Sequence, residues 1–164
     1  MLLDGGCARV LVVLGAAGDE VAALLDGPDW ARSRVEVVRS EDWAAGMSAS
    51  LAAGLRAVTA DTALVHLVDL PDVGADVVRR VLERGGRSRN VLARAAYDGR
   101  PGHPVLVGAD HVAPLLVTIA GDEGARAYLD AHEVRVVECG DLATGADDDE
   151  PDEISTPDDV RPPR

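Results

Sequence analysis

Short apolar runs alternate with amphipathic stretches of about ten residues through the first 85 positions, and this rhythm restricts the fold more than anything else in the chain. "VLVVL" (10–14) closes on Gly15 and leads into an Ala-rich stretch in which Val21, Leu24 and Leu25 share one helical face. "VEVV" (35–38) reads as a second short strand. "MSASLAAGLRAV" (47–58) then spaces Met47, Leu51, Leu55 and Val58 three and four apart, which is a helix with its apolar stripe inward. "ALVHLV" (63–68) is a third strand that delivers Asp69 at its end. Residues 74–84 follow as a helix with Val77, Val78, Val81 and Leu82 on the core side, stopped by Gly85 and Gly86. Strands alternating with helices predict βαβ units, a parallel sheet and right-handed crossovers, so the class is α/β.

After Arg89 the rhythm changes. "NVLARAAYDGRPGHPVLVG" (90–108) predicts two strands around a Gly/Pro-rich turn, "VAPLLVTI" and "GARAYLDAH" two short helices, and "EVRVVEC" another strand. Residues 140–153 are low-complexity acid, for which like-charge repulsion predicts a flexible solvated segment. "STPDDV" then reads as a helix start, with Thr156 as N-cap and Pro157 in the first turn. With 164 residues, about the size of one hydrophobic core, the expectation is a single domain over 1–164.

Charge excludes some partners. The formal net charge is -13, of which residues 141–164 contribute -7, and there is no lysine. An acidic surface repels phosphate backbones and anionic lipid, so neither nucleic acid nor a membrane is expected as partner. Any phosphate must be met by arginine, backbone N–H groups or a bound metal. Cys7 and Cys139 are too few and too far apart for a disulfide framework and read as reduced core thiols. No leader pattern and no apolar run of about 20 residues is present, which predicts a cytoplasmic protein.

Each candidate for chemistry has an ordinary alternative. Asp69 falls at the carboxyl end of a strand, where open α/β sheets bind ligands, and a carboxylate there suits Mg²⁺; it also suits a cap for the next helix. Gly46, Met47, Ser48 and Ser50 form the start of a helix whose free N–H groups suit an anion or the polar edge of a base; Ser48 also suits a plain N-cap. His103 sits with Gly102 in "GRPGHPVLVG" (99–108), which reads as a Gly/Pro turn, where a histidine also suits solvent or a backbone contact; Asp122 and Arg126 lie in "GDEGAR", where Asp122 alone suits a helix cap.

Taken in order, "DWAAGMSASLAAGL", "LVDLP", "GRPGHPVLVG", "GDEGAR" and "STPDDV" resemble the succession of motifs in the MobA-like NTP transferases, in particular the molybdenum cofactor cytidylyltransferase branch, from about Ala8 to Val160. The Gly-His-Pro and Gly-Asp-x-Gly-Ala-Arg pair is the specific part. The resemblance implies a three-layer α/β/α fold with a Rossmann-like, mostly parallel sheet of the nucleotide-diphospho-sugar transferase type. It implies an Mg²⁺-dependent reaction in which a phosphate of molybdopterin attacks the α-phosphorus of CTP or GTP and expels pyrophosphate. Carried over, Asp69 is the catalytic metal ligand, and Gly46, Met47, Ser48 and Ser50 contact base and ribose. Gly102, His103, Asp122 and Arg126 line the acceptor side, and a molybdoenzyme or another protein of the cofactor pathway is the implied partner.

Two departures qualify that expectation. The family's first strand and loop, of the form LAAGxSxRxGxxK, have no counterpart in the 164 residues; "LGAAGDE" (14–20) has no basic residue and takes the place of the second strand and turn. The chain therefore reads as starting about 40 to 50 residues late, the length of one βα unit with its loop, and as missing the first strand of the sheet. Ser155 stands where the family has a metal-holding aspartate, with Glu153 or Asp152 as substitutes. The expected function is nucleotidyl transfer of CMP or GMP, impaired in this chain; the alternative is a catalytically inactive remnant or scaffold of the same fold.

Overall fold

The computed structural model describes residues 1–25 and 34–147. A first parallel pair, β1 (Val10–Leu14) and β2 (Val35–Arg39), runs in register from Val10 opposite Val35 to Leu14 opposite Arg39. Between them lies α1 (Gly18–Leu25), and after β2 a short 3-10 turn (Trp43–Ala45) leads into α2 (Met47–Ala57). The second sheet has the order β3-β5-β4-β6, formed by β3 (Thr62–Val65), β4 (Leu92–Tyr97), β5 (Arg100–Gly108) and β6 (Arg135–Glu138). Only β5 runs against the others, so three of these four strands point the same way.

Helices cover both faces of the four-stranded sheet. On one face α3 (Ala75–Gly85) packs Val77 and Val81 onto Ala93, Ala95, Leu106 and Val137. Its ends are written locally: Asp76 complements the positive end of the dipole, and Gly86 at φ +91° closes the helix by donating its N–H to Leu82. Full burial of a valine is worth roughly 1.5 kcal/mol or more, so this one face carries several. The opposite face holds Leu55 of α2, Leu115 of α4 (Ala109–Thr118) and Tyr128 and Leu129 of α5 (Arg126–Asp130) against Leu92, Val105 and Val107. The three-layer α/β/α expectation is met.

α2 bridges the two sheets. Its Leu51 and Leu55 pack with Ala63 and Val65 of β3, while its Gly54 lies so close to Val13 of β1 that an added Cβ would sit 2.9 Å from the valine methyl. Among the described residues β1 pairs only with β2 and β3 only with β5, which leaves one edge of β1 and one edge of β3 open.

Three elements differ from the sequence expectation. β3 stops at Val65 rather than at residue 68, because the next partner in its register with β5 would be Pro104, which has no N–H to give. Val68 is consequently outside the ladder and fully exposed. Residues 100–108 are a strand, not part of the turn: Asp98 and Gly99, both at positive φ, make the tight hairpin turn that such φ values favour, so His103 belongs to β5. Finally, residues 140–147 of the expected flexible segment are tied down. Arg80 holds Asp141 through two hydrogen bonds, and Asp72 accepts from both the backbone N–H and the hydroxyl of Thr144, at 2.6 and 2.7 Å. Residues 148–153, like the expected helix start at 155–160, lie outside the described residues.

Candidate functional site

β3 delivers its chain end at Val65, and the following turn carries His66 and Asp69 before Leu70 returns to the core. One carboxylate oxygen of Asp69 is buried and has no hydrogen-bond partner. α3 begins at Gly74 with no side-chain cap, so capping is not what Asp69 does. A buried acceptor left unmatched costs about 1 to 3 kcal/mol and is retained where a ligand completes it. His66 shares the condition, its Nδ1 being buried without a partner; burial pushes its pKa down, against the opposing pull of Asp69.

His103 joins this group from β5. Its carbonyl accepts the Tyr97 hydroxyl at 2.6 Å, and the Tyr97 ring leaves room only for a glycine at position 102, where a Cβ would lie 2.8 Å from the ring. Burial first, then the charges of Arg94 and His66, bring the His103 pKa down to about 4, with Asp69 opposing. The imidazole is neutral at pH 7 and offers one donor and one acceptor without adding charge.

Arg94, which the sequence reading missed, lies on β4, the neighbour of β5 on the side away from β3. It occupies the same face as Leu92 two residues before it, directly opposite Val105 of β5, and its Nε is buried without a partner. Burial lowers its pKa, as does the neighbouring Arg126, while Asp130 acts in the other direction. The available signal was strand parity in "LARAAY", which turns Arg94 toward α5 along with Leu92.

The remaining predicted residues form a second group. Gly46, at φ +108°, turns the chain into α2 so closely against residues 121–122 that a Cβ would fall 2.5 Å from the Asp122 carboxylate. The Met47 N–H donates to Asp122 at 3.2 Å and the Ser48 N–H to the Gly121 carbonyl at 2.9 Å. Asp122 therefore caps α2, not the helix that follows it, and the first two N–H groups of α2 are already engaged. The Ser48 hydroxyl makes no cap and is buried without a partner; Ser50, two residues on, is half-buried. Arg126 opens α5 four residues after Asp122, and its charge acts on Arg94, which connects the two groups.

A separate cleft of about 310 Å³, partly open to solvent, lies at the carboxyl ends of β1 and β2. Gly15, Arg39, Ser40 and Trp43 line it, with Arg39 held by Asp19 at 2.7 Å and the Ser40 hydroxyl buried without a partner. None of the predicted residues borders it.

For a divalent metal the fit rests on Asp69. Among the described residues no group of three or more His, Cys, Asp or Glu side chains is placed to enclose an ion. Mg²⁺ needs no such cage, since one or two carboxylates with waters and substrate phosphates suffice, and the orphaned Asp69 oxygen is a hard donor of that kind. Ser155, Glu153 and Asp152 lie outside the described residues. No helix among the described residues is long and apolar enough to cross a membrane.

Residues 1–136 match the model of the MobA-like NTP transferase domain. The chain is 35% identical over 163 residues to nicotine blue oxidoreductase of Paenarthrobacter nicotinovorans, covering 90% of this chain and 74% of that protein. It is 26% identical over 101 residues to the molybdenum cofactor cytidylyltransferase of Escherichia coli, covering 62% of this chain and 49% of the relative. Among solved structures, Rv0371c of Mycobacterium tuberculosis in complex with manganese superposes with a TM-score of 0.64 at 26% identity, over 84% of this chain and 71% of that one.

Proposed function

The chain belongs to the MobA-like NTP transferase domain family, and from that premise we propose that it is built for metal-assisted nucleotidyl transfer from CTP or GTP to a phosphorylated cofactor precursor of the molybdopterin type. The observation that carries the reading is the unpartnered Asp69 carboxylate oxygen, buried beside the neutral His103 at the carboxyl end of β3.

In such a transfer an oxygen of the acceptor phosphate forms a bond to the α-phosphorus as the bond to the leaving pyrophosphate breaks. The protein's share is alignment and charge neutralisation. Asp69 would hold the divalent cation, Mg²⁺ in our reading; the manganese complex of the mycobacterial relative supports a site for such an ion. When bound, that ion supplies neutralisation of the phosphate charge. Gly46, Met47, Ser48 and Ser50 are assigned to base and ribose, with the Ser48 hydroxyl as the polar group left without a partner there. Gly102, His103 and Arg126 are assigned to the acceptor, and Asp122 to holding the two turns together. A protein that receives the finished cofactor is the partner this chemistry requires.

The 164 residues contain no LAAGxSxRxGxxK stretch and no lysine, so weak transfer is expected of them. The test is Mg²⁺-dependent pyrophosphate release from CTP and GTP together with calorimetric binding of each nucleotide. Metal-dependent binding that Asp69→Asn removes supports the reading, and nucleotide binding indifferent to both metal and Asp69 overturns it.

A second reading comes from the relative with 35% identity, named an oxidoreductase of nicotine blue. It is favoured by identity over 90% of the chain. Redox conversion of nicotine blue by the purified chain would select it over transfer.

A further inference from the structure

Three of the buried polar side-chain atoms without a partner are His66 Nδ1, Asp69 Oδ1 and Arg94 Nε, and the charges of all three residues reach His103. The strand register places them. Val65 of β3 and Arg94 of β4 both lie directly opposite Val105 of β5, so all three share one face, with the strands about 4.8 Å apart. His103 lies two residues before Val105, at the end of the sheet where β3 gives way to His66 and Asp69. α5 covers this face, with Arg126 at its first position and Asp130 at its last, and the charges of both reach Arg94. Arg94 and Arg126 form no ion pair among the described residues, although Arg9, Arg39, Arg79, Arg80 and Arg89 each hold a carboxylate.

We propose that Arg94, with Arg126 beside it, forms a binding site for the phosphate of a phosphate monoester, held against His103 on the side facing Asp69. The role of that phosphate as acceptor rests on the nucleotidyl-transfer reading; the binding itself rests on the arginine pair. Two neighbouring guanidinium groups repel each other, and a dianion between them turns that repulsion into two attractions. The Arg94 Nε and a terminal nitrogen present the planar fork that matches two phosphate oxygens, and a partly buried setting strengthens such bonds. His103, two residues before Val105 on the same strand, adds a ring N–H as a further donor. In a chain of net charge -13, a half-buried arginine without an ion pair and a second, exposed one beside it mark a place for an anion supplied from outside.

The phosphate of an acceptor and the triphosphate of the nucleotide share this chemistry, and calorimetry on the 164-residue chain separates them. The probes are inorganic phosphate, glycerol 3-phosphate and CTP, each at matched ionic strength. Arg94→Met keeps the aliphatic stem, and loss of its charged hydrogen bonds should weaken phosphate and glycerol 3-phosphate by about tenfold to a hundredfold. Arg126→Ala, at an exposed position, should weaken them too, which keeps the proposal testable if Arg94→Met fails to fold. Arg9→Ala, at the exposed pair with Glu36, should change nothing. Unchanged monoester binding in both Arg94→Met and Arg126→Ala would overturn the site, as would loss of CTP binding alone. Monoester binding that depends on Arg94 in a chain showing no transfer would keep the anion site while removing the nucleotidyl-transfer reading. Transfer that survives Arg94→Met would do the reverse.

Discussion

Asp122 accepts the backbone N–H of Met47 at 3.2 Å across 75 positions of sequence, and the Gly46 that precedes Met47 lies flat against the same carboxylate. The contact makes one rigid corner from two turns that the sequence presents as separate motifs. A helix N-terminus leaves its first N–H groups unsatisfied, and here a distant turn supplies both acceptors in place of a local cap.

Gly46→Ala should therefore be among the more damaging single changes. The new methyl would meet Asp122 at 2.5 Å and the Gly121 carbonyl at 2.8 Å, at a φ of +108° that side chains rarely adopt. Strain of this kind costs about 1 to 3 kcal/mol before any displacement of the turn. Urea denaturation should show the loss. Asp122→Ala should lose less, about 1 kcal/mol as for a missing cap, and the double variant should cost less than the sum because the clash partner is gone.

The histidines set the behaviour in mild acid. His103 titrates at about 4 in the fold against an ordinary 6.5, and His66 is shifted in the same direction. A depressed histidine binds fewer protons folded than unfolded, so its stability contribution is complete above pH 6.5 and is lost as pH falls toward 4. The slope cannot exceed about 1.4 kcal/mol per pH unit for each group, and the partial exposure of both makes it smaller. The depressed carboxylates of Asp72, Glu138 and Asp141 act only at lower pH. Urea midpoints between pH 7 and 5 should fall for the native chain and flatten in His103→Gln; an unchanged slope would show that the imidazole is not buried as described.

The Asp72–Thr144 contact fastens the chain after β6 over the Tyr97 ring, next to which Gly145 has no room for a side chain. Thr144→Val removes the hydroxyl donor but keeps the backbone one. Amide exchange at residues 144–146 should quicken several-fold while the rest of the sheet keeps its protection, because local opening near a chain end is governed by its own few contacts. Uniform loss of protection would mean that the clasp supports the whole fold.

Much of this architecture could be read from spacing because burial imposes period on the sequence. The valines of α3 recur at three and four residues and all reach the core; Leu51 and Leu55 of α2 do the same. His103 was misplaced for a local reason: glycine and proline dominate 99–108, yet Asp98 and Gly99 alone make the turn, and the prolines sit where strand pairing is already irregular. Arg94 and His66 were invisible for a long-range one. Their significance lies in which strands stand side by side, and neither the order β3-β5-β4-β6 nor the contact between positions 47 and 122 has a local signature. Asp69 was legible because an apolar run that ends on a carboxylate is unusual anywhere in a chain.

Asp69 also offers the sharpest separation of structure from function. If its carboxylate were structural, replacing it would lower stability. With one buried oxygen unpartnered and no helix cap to lose, Asp69→Asn instead removes an uncompensated charge from a partly buried setting. The melting temperature should hold or rise by a few degrees, the gain expected when a group kept for function is neutralised. The same variant should lose the metal-dependent part of nucleotide binding, because an amide oxygen is a far weaker ligand for a hard cation. A lower melting temperature with metal-dependent binding intact would return Asp69 to the structural role that its place before a helix suggests.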